Sequence, residues 1–183
     1  MIVKDILLEA ADLLGMKPEV EAFFNGDGDD YEAQALQLLT CYHVAECALA
    51  LNYFPLYIED ELLTATGRLD FSSFSQSPVR IIRVTNMSGV ELPYTLYPSY
   101  IKTDVGRIRV QYSYTPSIKT VEDLEDLCMG VPSHLLVYGT LSEYCLSNGL
   151  FQEAAIWDKK LKDSVDYLCH TRKCKRLGSR KWI

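Results

Sequence analysis

Zinc-binding side chains occur close together near residue 170 of this 183-residue sequence. Cys169, His170 and Cys174 fall within six residues, and thiolate and imidazole groups at short spacing are the ligands that structural zinc takes. Such a site needs four ligands, and no second cluster of cysteine and histidine in the sequence supplies the fourth. We therefore predict no metal site, and we expect the six cysteines to stay reduced.

A run of oxygen-bearing side chains begins at Asn25 and ends at Asp30, with the spacing of the first half of a calcium-binding loop. That loop requires glycine at its sixth position and glutamate at its twelfth, whereas this sequence has Asp30 and Leu36 there. The run instead fits a polar loop between two helices. Gly26 and Gly28 lie beside acidic residues that would repel phosphate, so they do not predict a nucleotide site.

The remaining groups capable of acid–base catalysis are histidines and clustered carboxylates, and each has a structural explanation. His43 falls on the polar strip of a predicted helix, and His134 falls in the first turn of another. The acidic runs 59–61 and 122–126 fit solvated faces. Catalysis needs groups brought together with a reason for shifted pKa values, and the sequence shows no such set. We predict that the protein is not an enzyme and carries no cofactor.

The positive charge of the chain is concentrated at one end. The whole sequence has a net charge of −7, but residues 1–171 hold 12 basic and 25 acidic residues, a net −13, and the remainder is +6. An acidic body is a poor general binder of nucleic acid. The tail indicates an anionic partner, either DNA or an acidic protein surface, or else a solvated and disordered end. Its basic residues and its tryptophan are Arg172, Lys173, Lys175, Arg176, Arg180, Lys181 and Trp182.

Tyrosines are the second candidate for contact with a partner. A tyrosine side chain combines an apolar ring with a polar hydroxyl, which suits a protein interface. The alternative interpretation is the half-exposed sheet face of a monomer. The tyrosines that we assign to a subunit interface lie in and beside the predicted strands: Tyr94, Tyr97, Tyr100, Tyr112 and Tyr114.

Apolar residues at the 3.6-residue period predict helices at both ends of the chain. The longest, 30–53, is apolar nearly all round and leaves only a narrow polar strip of Gln37, Thr40, His43 and Glu46. Such a helix must pack on more than one side, so we expect it at the centre of a bundle. The predicted helices are 3–14, 18–24, 30–53, 132–147 and 151–172, with a short one at 120–129.

Between residues 56 and 116 the apolar period changes to two, which is typical of strands. The clearest alternation is 106–115, where Ile108, Val110, Tyr112 and Tyr114 face one way. Residues 56–63 are ambiguous in period. The other predicted strands are 67–74, 79–84, 91–96 and 100–103, with a turn at 86–89.

Together these elements predict an α+β fold: mainly an α-helical bundle built from both chain ends, with an inserted small antiparallel β-sheet of hairpins. We expect a single domain over residues 1–183. It consists of N-terminal helices over 1–55, a β insertion over 56–116, C-terminal helices over 117–172 and a basic tail over 173–183. No apolar run approaches the 18 residues of a membrane span, and the N-terminus lacks the order of a signal peptide. We therefore expect an intracellular product without membrane contact.

Five sequence segments, taken together, carry a resemblance to a known family. Three of them are Pro55-Leu-Tyr-Ile-Glu-Asp-Glu-Leu-Leu63, Gly67-Arg-Leu-Asp-Phe-Ser-Ser-Phe74 and Val110-x-Tyr112-x-Tyr114-x-Pro116. The strongest are Leu136-Val-Tyr-Gly-x-Leu-x-Glu-Tyr144 and Gly149-Leu-Phe-x-Glu-Ala-Ala155, followed by the basic tail with Trp182 near its end. In these segments, and in the order of elements over nearly the whole chain, the protein resembles the adaptor, or head–tail connector, proteins of tailed bacteriophages.

The resemblance implies a helical bundle with a β excursion, assembled as a homo-oligomeric ring, usually a dodecamer, that docks under the portal protein at one capsid vertex. Double-stranded DNA passes through the lumen of such a ring. C-terminal extensions in this family commonly reach into the portal or a neighbouring subunit, which assigns the basic tail and Trp182 to portal binding. The five tyrosines would then contact neighbouring subunits or the next neck or tail protein. The implied location is the head–tail junction of the virion, after assembly in the host cytoplasm.

Two alternatives remain open. The first is another neck ring, such as a stopper or tail completion protein, in which a β-barrel would dominate; the long apolar helices predicted here speak against it. The second is a small nucleic-acid-binding protein that uses the basic C-terminal tail. A DNA affinity that falls with salt, with a logarithmic slope of roughly −5 for the whole tail, would indicate the second.

Overall fold

The computed structural model describes residues 1–26, 31–127 and 131–173. These residues form an α+β structure of five α-helices, one short 3₁₀ helix and six strands in two antiparallel sheets. The helices are α1 (Val3–Leu13), α2 (Lys17–Asn25), α3 (Glu32–Asn52), α4 (His134–Ser147) and α5 (Phe151–Lys173). The strands are β1 (Leu56–Thr64), β2 (Arg68–Asp70), β3 (Pro78–Asn86), β4 (Thr95–Leu96), β5 (Tyr100–Lys102) and β6 (Gly106–Tyr114), and the 3₁₀ helix is Phe71–Ser73.

The chain divides into two compact units. The first, called here the helical unit, combines Met1–Ala48 with the described residues from Ile118 onwards. The second, called the strand unit, is Leu49–Ser117 and contains all six strands. The predicted β insertion spans 56–116, whereas the strand unit also includes the last turn of α3.

The two helices that the amphipathic pattern at the N-terminus predicts are present in the structure. In α1, Val3, Ile6 and Leu7 are buried, and the helix packs against both α2 and α4. α2 begins with Pro18 in its first turn, where the missing N–H of proline costs no helical hydrogen bond. Gly26 ends it with a φ of +80°, a left-handed conformation that glycine adopts without strain. None of the described helices has the combination of length and apolar character that crossing a membrane requires.

The two C-terminal helices pack directly against each other. Gly149, in a left-handed conformation with a φ of +75°, ends α4, and the Leu150 N–H donates back to the Cys145 carbonyl at 2.9 Å. In α5 the side chains of Ala154 and Val165 are buried. On the same helix Asp158 and Lys162, four residues apart, form an ion pair at 2.6 Å.

The segment that precedes α4 is not helical. Residues 121–122 form a turn, and Leu124 makes an isolated β-bridge to Ile2. The Val3 N–H donates to the Asp123 carbonyl at 2.9 Å, so this segment runs beside the beginning of α1. The short helix predicted over 120–129 is therefore wrong for its described residues, because these backbone groups pair with the N-terminal segment instead of with each other.

The larger sheet of the strand unit has the order β1-β6-β3. β1 and β6 pair over nine residues each, from Leu56 opposite Tyr114 to Thr64 opposite Gly106. The alternation predicted for β6 is confirmed: Ile108, Val110 and Tyr112 are buried on one face. The segment that was ambiguous in period, 56–63, is strand β1.

The second sheet is small and has the order β2-β5-β4, where a single sheet of hairpins was expected. The predicted strand 67–74 is a strand only over Arg68–Asp70, after which the chain forms the 3₁₀ helix. The predicted strand 91–96 is reduced to Thr95–Leu96, with Glu91 in an isolated bridge to Thr85. The turn predicted at 86–89 is confirmed: its Asn86 side chain accepts hydrogen bonds from the Ser88 and Val90 N–H groups, both at 2.9 Å.

Candidate interaction surfaces

Two of the predicted interface tyrosines stack on each other at the surface of the small sheet. The rings of Tyr97 and Tyr100 lie 4.5 Å apart, centroid to centroid, with only 9° between their planes. The Arg68 guanidinium lies 4.1 Å from the centroid of the Tyr100 ring, a cation–π contact. Asp70 holds that guanidinium through a 2.7 Å ion pair. The structure thus brings together Tyr97, in the turn after β4, Tyr100 on β5 and Arg68 on β2 in one partly exposed group.

Tyr112 has a different place, and its assignment to a subunit interface is wrong. Its side chain is wholly buried, and the Phe74 ring meets it edge-on at 5.0 Å between centroids. Its hydroxyl donates to Asp60 Oδ2 at 2.7 Å and accepts from the Gln76 N–H at 3.1 Å. A ring enclosed in the core of its own unit has no surface to offer another subunit, so Tyr112 is a core residue.

Tyr94 and Tyr114 both lie next to strand β3. Tyr94 is partly exposed, and its hydroxyl points at the Ile81 carbonyl at 3.4 Å. Tyr114 pairs with Leu56 across the sheet and lines a shallow depression with an apolar floor. The lining residues of that depression in the strand unit include Leu51, Tyr57, Val79, Arg80, Ile82 and Tyr114.

The residues of β3 that line this depression lie where the pairing of β3 with β6 is irregular. The register between β3 and β6 shifts twice, between Pro78 and Arg80 and again between Ile81 and Arg83. A bulge adds a residue on one side and re-aims the following side chains. As a result Val79 and Arg80 are exposed together, and so are Ile82 and Arg83. Sequence reasoning missed this surface, because strict alternation would have placed one member of each pair inside.

A second apolar depression lies on the helical unit, where α4 meets α5. Its lining combines Leu146 and Phe151 with Ala154 and Ala155, and Glu143 and Asp158 stand beside these apolar groups. Leu146 and Phe151 are both exposed, which is unusual for side chains of this size lying side by side. Nothing in the sequence indicates this surface beyond the apolar residues that flank the Gly149 turn.

The basic tail lies mostly outside the described residues. Arg172 and Lys173 form the last turn of α5. The predicted partner-binding residues Lys175, Arg176, Arg180, Lys181 and Trp182 lie outside the described residues, as does Cys174 of the considered zinc cluster. Among the residues that the structure describes, no group of three or more histidine, cysteine or acidic side chains is placed to hold a metal ion.

A buried carboxyl group lies on α3 in the helical unit. Glu46, predicted on the polar strip of the helix, is wholly buried. Its Oε1 accepts hydrogen bonds from the Tyr42 hydroxyl and from the Asp126 N–H, both at 2.9 Å. Its Oε2 is buried with no hydrogen-bond partner in the described part of the chain. Burial raises the pKa of Glu46, and the hydrogen bonds from Asp126 and Tyr42 lower it less than burial raises it.

The same helix holds the 118–126 segment at a second point. His43 Nε2 accepts a hydrogen bond from the Lys119 N–H at 2.9 Å, and the buried Lys119 side chain pairs with Asp126 at 2.6 Å. A raised carboxyl pKa beside a tyrosine also occurs at catalytic sites. Here, however, His43 and Glu46 both accept bonds from the backbone of one segment, and we interpret them as structural. The sequence could not show this because their partners lie about eighty residues away.

Comparisons with known proteins add no identification. No protein-family model matches the chain, and no curated protein matches it.

Proposed function

We propose that this protein is a structural component of a bacteriophage virion: a head–tail adaptor whose copies form a ring on the portal and join the capsid to the tail. Double-stranded DNA passes through the lumen of that ring. The protein acts at the head–tail junction, after assembly in the host cytoplasm, and not as an enzyme. The proposal starts from the resemblance carried by the segments at 55–63, 67–74, 110–116, 136–144 and 149–155.

The observation that carries the proposal is the division of the chain. α1, α2, most of α3, α4 and α5 belong to one unit, drawn from both ends of the sequence, and the strands form a separate unit inserted between them. This is the order of elements that the resemblance implies. In our proposal the helices of both ends form one bundle around α3, whose buried face includes Leu38, Tyr42 and Ala45.

The distribution of charge supports a role as a conduit. Residues 1–48 and 118–171 hold 19 acidic and 6 basic residues, a net −13, whereas the strand unit holds 6 of each and is neutral. A ring multiplies this negative charge by its number of subunits. An acidic wall repels the phosphates of DNA, so the duplex can pass without being held.

The C-terminal tail supplies the opposite charge and an aromatic group. Residues 172–183 carry six positive charges and no acid, with Trp182 near the end. A short basic segment can order on an acidic partner surface, and tryptophan is among the residues that contribute most to binding at interfaces. We therefore assign the tail to the portal, and the exposed Tyr97–Tyr100 pair to a neighbouring subunit or to the next neck or tail protein.

Binding of the purified chain to portal rings of the same phage tests this assignment. Deletion of residues 173–183 is expected to abolish portal binding while the circular dichroism of the helices stays unchanged. Two matched variants of the full chain separate charge from the aromatic anchor: one with the six basic residues changed to glutamine, and one with Trp182→Ala. If portal binding survives the deletion, the tail assignment is wrong.

The same preparations test the rival function. If the full chain binds duplex DNA with a logarithmic salt slope of roughly −5 and does not bind portal rings, the adaptor proposal fails. The protein is then a nucleic-acid-binding protein. A projection image of virions with the chain labelled gives an independent answer. The label is expected at a single vertex, between capsid and tail.

A further inference from the structure

The chain carries two exposed apolar patches of opposite charge. The sheet patch consists of Tyr57, Val79, Arg80, Ile82 and Arg83 in the strand unit. The helix patch consists of Glu143, Leu146, Phe151, Ala155 and Asp158 in the helical unit. Each patch has an apolar centre with charged side chains beside it, and the two centres line separate depressions.

The sheet patch is too apolar for an ordinary solvated sheet face. Tyr57 is 55 % exposed, Val79 51 % and Ile82 41 %. These three large side chains therefore face solvent, and all three line the same depression. The two bulges of β3 create this patch, because they expose each apolar residue together with the arginine that follows it. β3 is also an edge strand of its sheet, and bulges are one way in which edge strands prevent indiscriminate strand pairing.

The positive charge of the sheet patch is unneutralised within the described chain. Arg109, on the central strand, takes both nearby acids: it pairs with Glu61 at 2.9 Å and lies 3.9 Å from Glu59. Neither Arg80 nor Arg83 forms an ion pair with any residue that the structure describes. Two free arginines beside exposed tyrosine and aliphatic groups are the composition found at the centre of protein interfaces.

The helix patch presents the complementary arrangement. Leu146 is 52 % exposed and Phe151 69 %, and the two side chains line the same depression. Glu143 lies beside them and pairs with no basic residue among those described, while Asp158 is held by Lys162 at 2.6 Å. The patch lies on the unit that holds the entire acidic excess of the chain body.

From this complementarity we infer that the sheet patch of one copy docks on the helix patch of the next copy. Apolar centre would meet apolar centre, and Arg80 and Arg83 would meet Glu143 and Asp158. Since the two patches are different surfaces, the contact is heterologous and can repeat from copy to copy, closing into a ring if the rotation between copies allows it. The inference deepens the proposed function by naming the subunit contact, and it rests on that function only for the closure of the ring.

The occupant is a second copy because the charges of the alternatives fit less well. The basic tail has the same sign as the sheet patch and could reach only the helix patch. DNA would be attracted only to the sheet patch, and it would leave the apolar side chains of the helix patch exposed to solvent. A second copy satisfies both patches at once.

Sedimentation velocity of the full chain, from micromolar concentrations up to about 1 mM, measures the contact. We expect wild-type chains to associate, with weaker association as salt rises. Two reversals remove one patch each: R80E/R83E in the sheet patch and E143K/D158K in the helix patch. Each is expected to weaken self-association at least about tenfold. The controls K102E and E122K reverse exposed charges outside the patches, one in each unit, and are expected to associate as the wild type does.

A mixture of the two reversed variants gives the decisive result. The helix patch of R80E/R83E and the sheet patch of E143K/D158K are both intact, and the two reversed patches carry charges of opposite sign to each other. An equimolar mixture is therefore expected to form heterodimers, and longer alternating assemblies, under conditions where neither variant associates alone. Circular dichroism of each variant first establishes that it is folded. Wild-type chains that stay monomeric at the highest concentration would overturn the inference, as would a mixture without heterodimers. Association that requires residues 173–183 or added DNA would also overturn it.

These outcomes are independent of the portal test. Self-association through the patches with no portal binding would remove the proposed function and leave the docking contact standing. If the chain binds the portal but its self-association is unchanged by R80E/R83E, the docking contact is removed and the proposed function is left standing.

Discussion

The Tyr112 hydroxyl donates a 2.7 Å hydrogen bond to Oδ2 of Asp60, on the neighbouring strand of the larger sheet. The same carboxylate accepts two hydrogen bonds from Ser75, one from the backbone N–H and one from the hydroxyl, each at 2.7 Å. A buried acid on β1 is thereby tied to β6 and to the loop that leads into β3. This arrangement fixes the three-stranded sheet at the point where its edge strand begins.

Removing the phenol hydroxyl is expected to destabilise the strand unit. Tyr112→Phe leaves the ring in the core but removes the bond to Asp60 and leaves the Gln76 N–H without its acceptor. The expected loss in the free energy of unfolding is about 1.5–3 kcal/mol, the range for hydrogen bonds to charged groups. Urea unfolding followed by circular dichroism measures it. Tyr94→Phe, which loses only a 3.4 Å contact, is the matched control and is expected to change stability little.

The Asp60 carboxylate predicts a loss of stability in acid. Burial acts to raise the pKa of Asp60, but the hydrogen bonds from Ser75 and Tyr112 together lower it below the ordinary value. A carboxyl group whose pKa is lower in the folded state stabilises the fold above its unfolded pKa of about 3.9, and this contribution disappears as the pH falls through the folded pKa.

We therefore expect the free energy of unfolding of the wild type to exceed that of Asp60→Asn by a constant amount above about pH 5. The difference should shrink as the pH falls below about 4. Urea titrations at a series of pH values check this, with the exposed Asp104→Asn as control. A difference that grows on acidification would contradict the assigned hydrogen bonds.

How much of this could be predicted depended on the range of the interactions. The 3.6-residue period placed α1 to within one residue, and the alternation in β6 identified its buried face, because both patterns are set by neighbours along the chain. The same alternation predicts that Tyr112 is buried, because it shares a face with Ile108 and Val110. The assignment of Tyr112 to an interface was inconsistent with that pattern. Tyr97 and Tyr100 lie beyond the clear alternation, and their stacking required coordinates.

Features set by remote partners were missed. Glu46 shares a helical strip with Thr40, which is exposed, yet it is buried because the backbone of Asp126 closes over it. The paired exposure of Val79 with Arg80 follows from two register shifts against β6, and no local pattern in the sequence encodes a shift. Both features depend on contacts between segments about thirty to eighty residues apart.

Glu46 predicts a pH dependence of opposite sign to that of Asp60. Burial raises the pKa of Glu46. At pH values between its unfolded pKa of about 4.3 and its higher folded pKa, the carboxyl group is ionised in the unfolded chain and still protonated in the folded one. The wild type therefore loses stability as the pH rises through this window. Glu46→Gln keeps an oxygen that can accept the bonds from Tyr42 and Asp126 but cannot ionise.

The free energy of unfolding of Glu46→Gln, relative to wild type, is expected to rise with pH above about 4.3 and then to level off. Urea unfolding from pH 4 to 8 measures it. The exposed Glu122→Gln, in the same unit, should show no such trend. A relative stability that falls with pH would mean that Glu46 is better stabilised as an anion than its burial implies.

The close approach of α4 to α3 in the helical unit depends on a glycine. A Cβ added at Gly139 would lie 2.8 Å from the Cβ of Ala45, closer than two carbon atoms can approach without movement of a helix. Glycine within a helix normally destabilises it by about 1 kcal/mol relative to alanine, so Gly139→Ala should stabilise the protein if only helix propensity mattered. We expect the overpacking cost, about 1–3 kcal/mol, to outweigh that gain and to lower the free energy of unfolding. The double variant A45G/G139A removes the opposing methyl group, so the two substitutions are expected to be coupled by about the overpacking cost, roughly 1–3 kcal/mol. Urea unfolding of the four chains of this mutant cycle measures the coupling, and additive effects of the two substitutions would show that the helices do not meet at these residues.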